Sequence, residues 1–280
     1  MRIENITSAK NPKIALLHNL INKSRLRREK GLFVVEGCRE ILHCLASGFV
    51  ADTLFVCEEI ISETKLNEIK SSAEKSNPQI SVVMVPAFLY DKIAYRGGTE
   101  GAICEFVYTQ KSLSDISLRE NPLIVVLEAV EKPGNLGAVL RSADASGADA
   151  VVICDPLTDL YNPNLIRSSI GAVFTTKVVT ATSEDTINWL KANKIKILTA
   201  QLQDSSPYFD IDMLGATAIV MGTESTGLTD TWRKNADAHI MIPMLGRLDS
   251  LNVSVSAAIL LYEAVRQREI SNKNILNVKS

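Results

Sequence analysis

From residue 123 onward, short unbroken apolar runs keep returning, separated by stretches of helical spacing. They are LIVVL (123 to 127), AVVIC (150 to 154), TTKVV (175 to 179), IKILTA (195 to 200), ATAIVMG (216 to 222) and AHIMIP (238 to 243). A strand that is apolar at every residue is covered on both faces, and helices between such strands mean a largely parallel α/β sheet. Ligands gather at the carboxyl ends of the strands in sheets of this kind, and the conspicuous loops here all follow strands. The spacing predicts helices from about Gly137 to Ser146, from about Asn164, near 184 to 193, and a long last helix that begins around Asn252.

The first hundred residues read as a smaller α/β unit. Asn11-Pro12 is a helix start, and Ile14, Leu17, Leu20 and Ile21 keep helical spacing, which predicts a helix over residues 12 to 30. LFVVEG (32 to 37), TLFVC (53 to 57), SVVMVP (81 to 86) and AICEFVY (102 to 108) read as strands, with helices at 38 to 47, 62 to 76 and up to about Ile93. YRGGTEG (95 to 101) is the most flexible loop expected there. Residues 109 to 122 lack periodicity and end in Asn-Pro, so the reading is a domain at 1 to 108, a linker, and a second domain at 123 to 280.

Composition narrows the partners. With 46% hydrophobic and 22% charged residues the chain is ordinary globular protein. It has no apolar run long enough for a membrane helix and no signal-peptide core, so a cytoplasmic protein without a membrane partner is expected. The five cysteines are scattered and unpaired in sequence, and three histidines lack ligand spacing, so the cysteines read as buried apolar groups and no metal site is expected. The net charge of −2 hides a basic arm: Arg2, Lys10, Lys13, Lys23, Arg25, Arg27, Arg28 and Lys30 stand against only Glu4 and Glu29. Such an arm neutralises phosphates, or is simply a solvated helix face.

Four segments after strands carry polar groups. In EAVEKPGNLGAVLRSADASGADA (128 to 150), Pro133-Gly134 makes a turn, Asn135 is placed to cap the next helix, and Arg141 sits one and a half turns along it. Its glycines do not form G-x-G-x-x-G, which argues against a dinucleotide enzyme, and no Walker sequence occurs. DLYNPNLIRSSIGAVF (159 to 174) sets Arg167 beside Ser168 and Ser169. VMGTESTGL (220 to 228) runs a strand into Gly222 and a loop with Glu224. IPMLGRLDSLNVSVS (242 to 256) passes from Ile242 and Met244 through Gly246 to Ser250, Leu251 and Asn252, where an apolar helix face of Leu251, Val255, Ala258, Ile259 and Tyr262 begins. A strand, turn and helix start of this kind leaves backbone N–H groups for a ligand. Taken singly, each segment is equally a capped helix or a solvated loop.

Together, in order, N-x-G-A-x-x-R, N-P-x-x-x-R-S-S-x-G-A-V-F, M-G-x-E-x-x-G-L and I-P-M-x-G-x-x-x-S-L-N-V-S-V resemble the SpoU/TrmH family of RNA ribose 2′-O-methyltransferases of the SPOUT class, over about residues 121 to 268. SAKNPKI (8 to 14), RLRREKGLFVVEG (25 to 37) and the loop near residue 100 resemble that family's small ribosomal-protein-like substrate-binding domain. The resemblance implies an α/β trefoil-knot catalytic domain with a mostly parallel sheet, S-adenosylmethionine as cofactor and a homodimer. Periodicity shows nothing of the knot.

Matched motif to motif, Gly222, Ile242, Met244 and Leu251 would hold the cofactor, and Asn135, Arg141, Glu224, Ser250 and Asn252 would act on the RNA. Lys10, Arg25, Arg27, Arg28, Arg96 and Arg167 would bind the RNA backbone. A guanidinium resists deprotonation, so Arg141 is expected to bind a phosphate and the developing oxyanion rather than act as base. The proton acceptor is then a water or a phosphate oxygen. The N-terminal motifs point to ribosomal RNA. Transfer RNA, or a catalytically silent RNA-binding or ribosome-assembly dimer, are the alternatives.

Overall fold

The computed structural model describes residues 2–95, 100–223 and 226–278, with side chains through residue 270. In chain order it begins β1 (Arg2–Asn5), α1 (Pro12–Asn22), α2 (Ser24–Lys30), β2 (Leu32–Glu36), α3 (Cys38–Ala46), β3 (Ala51–Val56), α4 (Glu63–Ser76), β4 (Ser81–Met84), α5 (Ala87–Ile93) and β5 (Ala102–Val107). It continues β6 (Leu123–Glu128), α6 (Pro133–Ala145), β7 (Ala150–Cys154), α7 (Pro163–Ser168), α8 (Ala172–Thr175), β8 (Val178–Ala181), α9 (Ser183–Ala192) and β9 (Lys196–Ala200). The last elements are β10 (Ser206–Pro207), β11 (Thr217–Met221), α10 (Asp230–Asn235), β12 (Ala238–Met241) and α11 (Val253–Val278). The chain forms two compact units: Met1–Gln110 with Asp159–Thr175, and Lys111–Thr158 with Thr176–Ser280.

The first unit is built on a five-stranded sheet in the order β1-β4-β3-β5-β2. β1, β4 and β3 run parallel, while β5 is antiparallel to both β3 and β2. Ile14, Leu17, Leu20 and Ile21 of α1 are buried with Val34, Phe55, Val83 and Ile103 of the sheet. Asn11 caps α1, its side chain accepting from the Lys13 N–H at 2.9 Å. An aromatic cluster also fills this unit: Phe33 stacks on Tyr161 with ring centroids 4.0 Å apart and on Phe174 at 6.0 Å. The segment Asp159–Thr175, although it lies within the second half of the sequence, therefore belongs to the core of the first unit.

The helix expected over 12 to 30 is two helices. Lys23 is extended at φ −124° and ψ 103°, which ends α1 and starts α2. The helix expected from Asn164 likewise divides into α7 and α8, where Ile170 (φ 55°) and Gly171 (φ 84°) turn left-handed. A Cβ on Gly171 would meet the His43 ring at 3.2 Å, so that turn suits glycine twice over.

The second unit carries a seven-stranded sheet in the order β10-β12-β9-β11-β6-β7-β8, with every pairing parallel. The unbroken apolar strands do what their pattern demands: every residue of β6, β7 and β11 is buried. The strand expected at 175 to 179 starts later, at Val178, because Thr175 closes α8. β1 and β10 were not anticipated by pattern, being short and partly exposed. All five cysteines are free and buried, as expected of small apolar groups, and burial pushes the Cys154 thiol up to about 12.

Candidate active site in the second unit

Parallel pairing puts the carboxyl ends of β6, β11 and β12 on one edge of the sheet, so the loops that follow them emerge together. The loop after β11 is tightly folded. A Cβ on Gly222 would lie 2.3 Å from the carbonyl carbon and oxygen of Gly227 and 2.6 Å from the Leu228 nitrogen, so no other residue fits there without moving backbone. Gly227 N–H bonds the Thr223 carbonyl at 3.0 Å, and the Thr223 and Thr226 hydroxyls are 2.7 Å apart. Glu224 lies outside the described residues.

The foot of this loop is anchored by a residue the motif reading passed over. Glu128, the last residue of β6, is 4% exposed and accepts both the Thr229 N–H at 2.9 Å and the Thr229 hydroxyl at 2.8 Å. Ser183 donates its hydroxyl to Asp155 at 2.6 Å, stands 3.4 Å from Glu128, and accepts the indole N–H of Trp232 at 3.0 Å. Ala129 and Asp155, which follow β6 and β7, are left-handed at φ 51° and 48°, a conformation non-glycine residues adopt at a cost. The signal in the sequence was a glutamate closing an otherwise apolar strand.

After β12 the chain runs from Ile242 to Asn252 without regular structure. A cavity of about 390 Å³ opens here, lined by Leu202, Met241, Ile242, Pro243, Met244, Arg247, Leu248 and Asp249. Of the residues expected on the cofactor, Ile242 and Met244 line this cavity, while Gly222 and Leu251 are not among its lining residues. Main-chain groups of residues 243 to 251 make no backbone–backbone hydrogen bond among the described residues. Backbone donors and acceptors left over beside apolar walls fit a purine nucleoside with a sulfonium-bearing tail. S-adenosylmethionine has that chemistry. Among the described residues no group of side chains could hold a metal ion.

Asn252 joins this loop to the first motif. Its Oδ1 accepts from the Ser254 N–H (3.0 Å) and hydroxyl (2.6 Å), which caps α11, and its Nδ2 donates to Oδ1 of Asn135 at 3.1 Å. Asn135 was expected to cap a helix, but α6 begins at Pro133, so Asn135 lies inside the first turn and presents its amide to Asn252 instead. Proline at the first position explains the earlier start, since its missing N–H would be unpaired there anyway. Arg141, farther along α6, is exposed and takes no hydrogen bond or ion pair among the described residues. Ser250 is exposed and donates to Asp249 at 3.3 Å.

The apolar face named from the sequence on α11 is partly open to solvent, and a second apolar face packs inward. Val253, Ala257, Leu260, Leu261 and Ala264 are buried, while Val255 is 46% and Tyr262 50% exposed. The helix is apolar on both sides, and periodicity could not say which side meets the sheet.

Of the basic residues expected on RNA, Lys10, Arg25, Arg28 and Arg167 are exposed, and Arg96 lies outside the described residues. Arg27 departs from that expectation. It is 2% exposed, its Nε donating to Asp159 at 2.7 Å and its Nη1 to the Leu20 and Ile21 carbonyls at 2.5 and 3.1 Å, so its charge is spent inside the first unit.

Comparison with known proteins decides the family. Residues 122–262 match the SpoU rRNA methylase family, and residues 11–104 match an MRM3-like substrate-binding domain. The chain belongs to the SpoU rRNA methylase family. It is 28% identical over 260 residues to the 23S rRNA (guanosine(2553)-2′-O)-methyltransferase RlmP of Bacillus subtilis, covering 93% of this chain and 98% of that one. Among solved structures it is similar to an AdoMet-bound rRNA methyltransferase from Sinorhizobium meliloti, with a TM-score of 0.86, 28% identity, and 94% and 98% of the two chains covered. It is also similar to an RNA 2′-O ribose methyltransferase, with a TM-score of 0.80, 34% identity, and 95% and 99% covered. The chain is a SpoU-family RNA methyltransferase of the SPOUT fold that uses S-adenosylmethionine.

Proposed function

We propose that this SpoU-family protein methylates a ribose 2′-hydroxyl of ribosomal RNA, in the cytoplasm and as a homodimer. The observation that carries the reading is the hydrogen bond from Asn252 to Asn135, which ties the loop of the apolar cavity to the helix bearing Arg141. S-adenosylmethionine, when bound, supplies a methyl group on a cationic sulfonium. Ile242 and Met244 would hold it from the cavity wall, with Gly222 and Leu251 shaping the loops to either side. A ribose hydroxyl is a very weak acid, so the protein's task is to align it and to stabilise charge developing on its oxygen. Arg141, with no partner of its own among the described residues, is suited to hold the adjacent phosphate and that oxygen. The Asn135–Asn252 pair fixes α6 against the loop, and Ser250 and Glu224 complete the RNA side. The general base is then a water or a phosphate oxygen.

Lys10, Arg25, Arg28, Arg96 and Arg167 would meet the RNA backbone. Two of the relatives named above, those from Bacillus subtilis and Sinorhizobium meliloti, are rRNA methyltransferases, which favours ribosomal over transfer RNA. Among the described residues no helix is long and apolar enough to cross a membrane, which supports the cytoplasmic reading. Dimer formation is supported by apolar surface: Leu245, Leu248, Leu251, Val255 and Tyr262 are all exposed.

Mass-spectrometric mapping of 2′-O-methyl groups in RNA from cells with and without the protein tests the proposal. One ribosomal 2′-O-methyl group is expected to disappear. Loss from transfer RNA alone would transfer the assignment to that substrate, and no loss anywhere would leave a silent RNA-binding dimer.

A further inference from the structure

The wall of the cavity after β12 carries two opposite charges, Arg247 and Asp249, on either side of Leu248. The rest of the lining, Leu202, Met241, Ile242, Pro243 and Met244, is apolar. Its volume of about 390 Å³ lies within the range of roughly 300 to 1,000 Å³ over which clefts take small molecules, and such clefts fix their ligand through a few polar groups on otherwise apolar walls.

Neither charge is spent within the protein. Arg247 takes no hydrogen bond or ion pair among the described residues, and Asp249 accepts only the Ser250 hydroxyl, at 3.3 Å. Both are exposed, and no ion pair joins them although they stand two residues apart. An exposed charge is ordinarily just solvated. These two differ in facing one apolar cavity together, with the main chain that bears them, residues 243 to 251, making no backbone–backbone hydrogen bond among the described residues.

The cofactor has a part that matches them. S-adenosylmethionine ends in an ammonium and a carboxylate on one carbon atom. Apolar walls and free main-chain groups suit its nucleoside, but a zwitterion needs a cation and an anion set close together. Two residue steps span at most about 7 Å of chain, so a long guanidinium and a short carboxylate at Arg247 and Asp249 can both reach groups borne by one carbon. A guanidinium gives a carboxylate two parallel N–H bonds, and an aspartate accepts the N–H of an ammonium.

We propose that Arg247 and Asp249 hold the amino-acid end of S-adenosylmethionine, Arg247 donating to its carboxylate and Asp249 accepting from its ammonium. The pair then distinguishes the cofactor from nucleosides that lack that end. The inference rests on the reading of this cavity as the cofactor's site.

The test is calorimetry on the full-length protein with four ligands: S-adenosylmethionine, S-adenosylhomocysteine, decarboxylated S-adenosylmethionine, and 5′-methylthioadenosine, which has no amino-acid end. Arg247→Gln is expected to weaken the first two by about tenfold and to leave the decarboxylated form and methylthioadenosine within about twofold. Asp249→Asn should weaken the three ligands that carry an ammonium by about fivefold and spare methylthioadenosine. Both positions are exposed, so an unchanged Tm is expected. Equal weakening of all four ligands, no change in any, or a loss in Arg247→Gln that includes the decarboxylated form overturns the proposal. A loss in Asp249→Asn that spares S-adenosylhomocysteine also overturns it, by moving Asp249 to the sulfonium. Met244→Trp, which fills the cavity, is measured in parallel. If it weakens methylthioadenosine while the other two variants change nothing, only the assignment of Arg247 and Asp249 falls. If no variant, Met244→Trp included, alters any affinity, the cavity is not the cofactor's site and the reading beneath falls as well.

Discussion

Glu128 in the second unit and Glu105 in the first both lie on an interior strand of a sheet, 4% and 3% exposed, and the fold treats them in opposite ways. Glu128 ends its strand, where the loop after β11 comes back to give it the Thr229 N–H and hydroxyl. Glu105 lies within β5, opposite Val34 and Thr53, and its Oε1 has no hydrogen-bond partner. Burial, then the nearby charge of Asp52, pushes its carboxyl up to about 8, so at neutral pH it is protonated. A buried carboxyl is worth keeping where both its oxygens are given donors, and here they hold the loop that begins at Gly222. Where it holds nothing the cheaper solution is to neutralise it.

Glu128→Gln gives the larger expected effect. The carboxamide can keep its oxygen on the Thr229 N–H only by turning its NH₂ to the Thr229 hydroxyl, which must then reverse from donor to acceptor, and trading two bonds to a carboxyl for this weaker pair costs about 1 to 2 kcal/mol of stability. It should also free the foot of the loop and weaken S-adenosylmethionine binding by about tenfold, read by calorimetry. Loss of stability with unchanged cofactor affinity would separate Glu128 from the site and dissolve the contrast.

Glu105→Gln gives the smaller effect, and it appears only as a pH dependence. A carboxyl whose folded pKa is raised contributes stability that is fully present below the ordinary carboxylate range and is lost as pH rises through about 8. Thermal unfolding of the unaltered protein is expected to fall by roughly 5 °C between pH 5 and pH 8, and the glutamine variant should flatten much of that decline. An equal decline in both proteins would show that Glu105 is not neutral in the fold.

The same contrast marks what could be read before the structure. The parallel sheet was legible because β6, β7 and β11 each carry a run of at least four consecutive apolar residues, a pattern of strands covered on both faces, and every residue of the three is buried. Ile242 and Met244 were named from the resemblance of I-P-M-x-G to a family motif, and both line the cavity after β12. Arg27 was misread because its partner, Asp159, is 132 residues away, and a local run of positive charge says nothing about which member turns inward. Asn135 was placed at a helix cap because Pro133-Gly134 reads as a turn, whereas the proline opens the helix. Which side of α11 is buried was not legible because both of its sides are apolar, and only packing chooses between them. The network around Glu128 joins residues 128, 155, 183 and 229, and no periodicity connects positions so far apart.

The central claim is a division of labour within the second unit, with the loop after β12 holding the cofactor and Arg141 of α6 serving the RNA. Arg141→Ala tests it most directly, by comparing methyl transfer from labelled S-adenosylmethionine into ribosomal RNA with cofactor affinity measured by calorimetry. The account predicts transfer reduced by about a hundredfold or more and cofactor affinity within a few fold of the unaltered protein. Near-normal methylation by that variant, or a loss of turnover matched by an equal loss of cofactor binding, would contradict it.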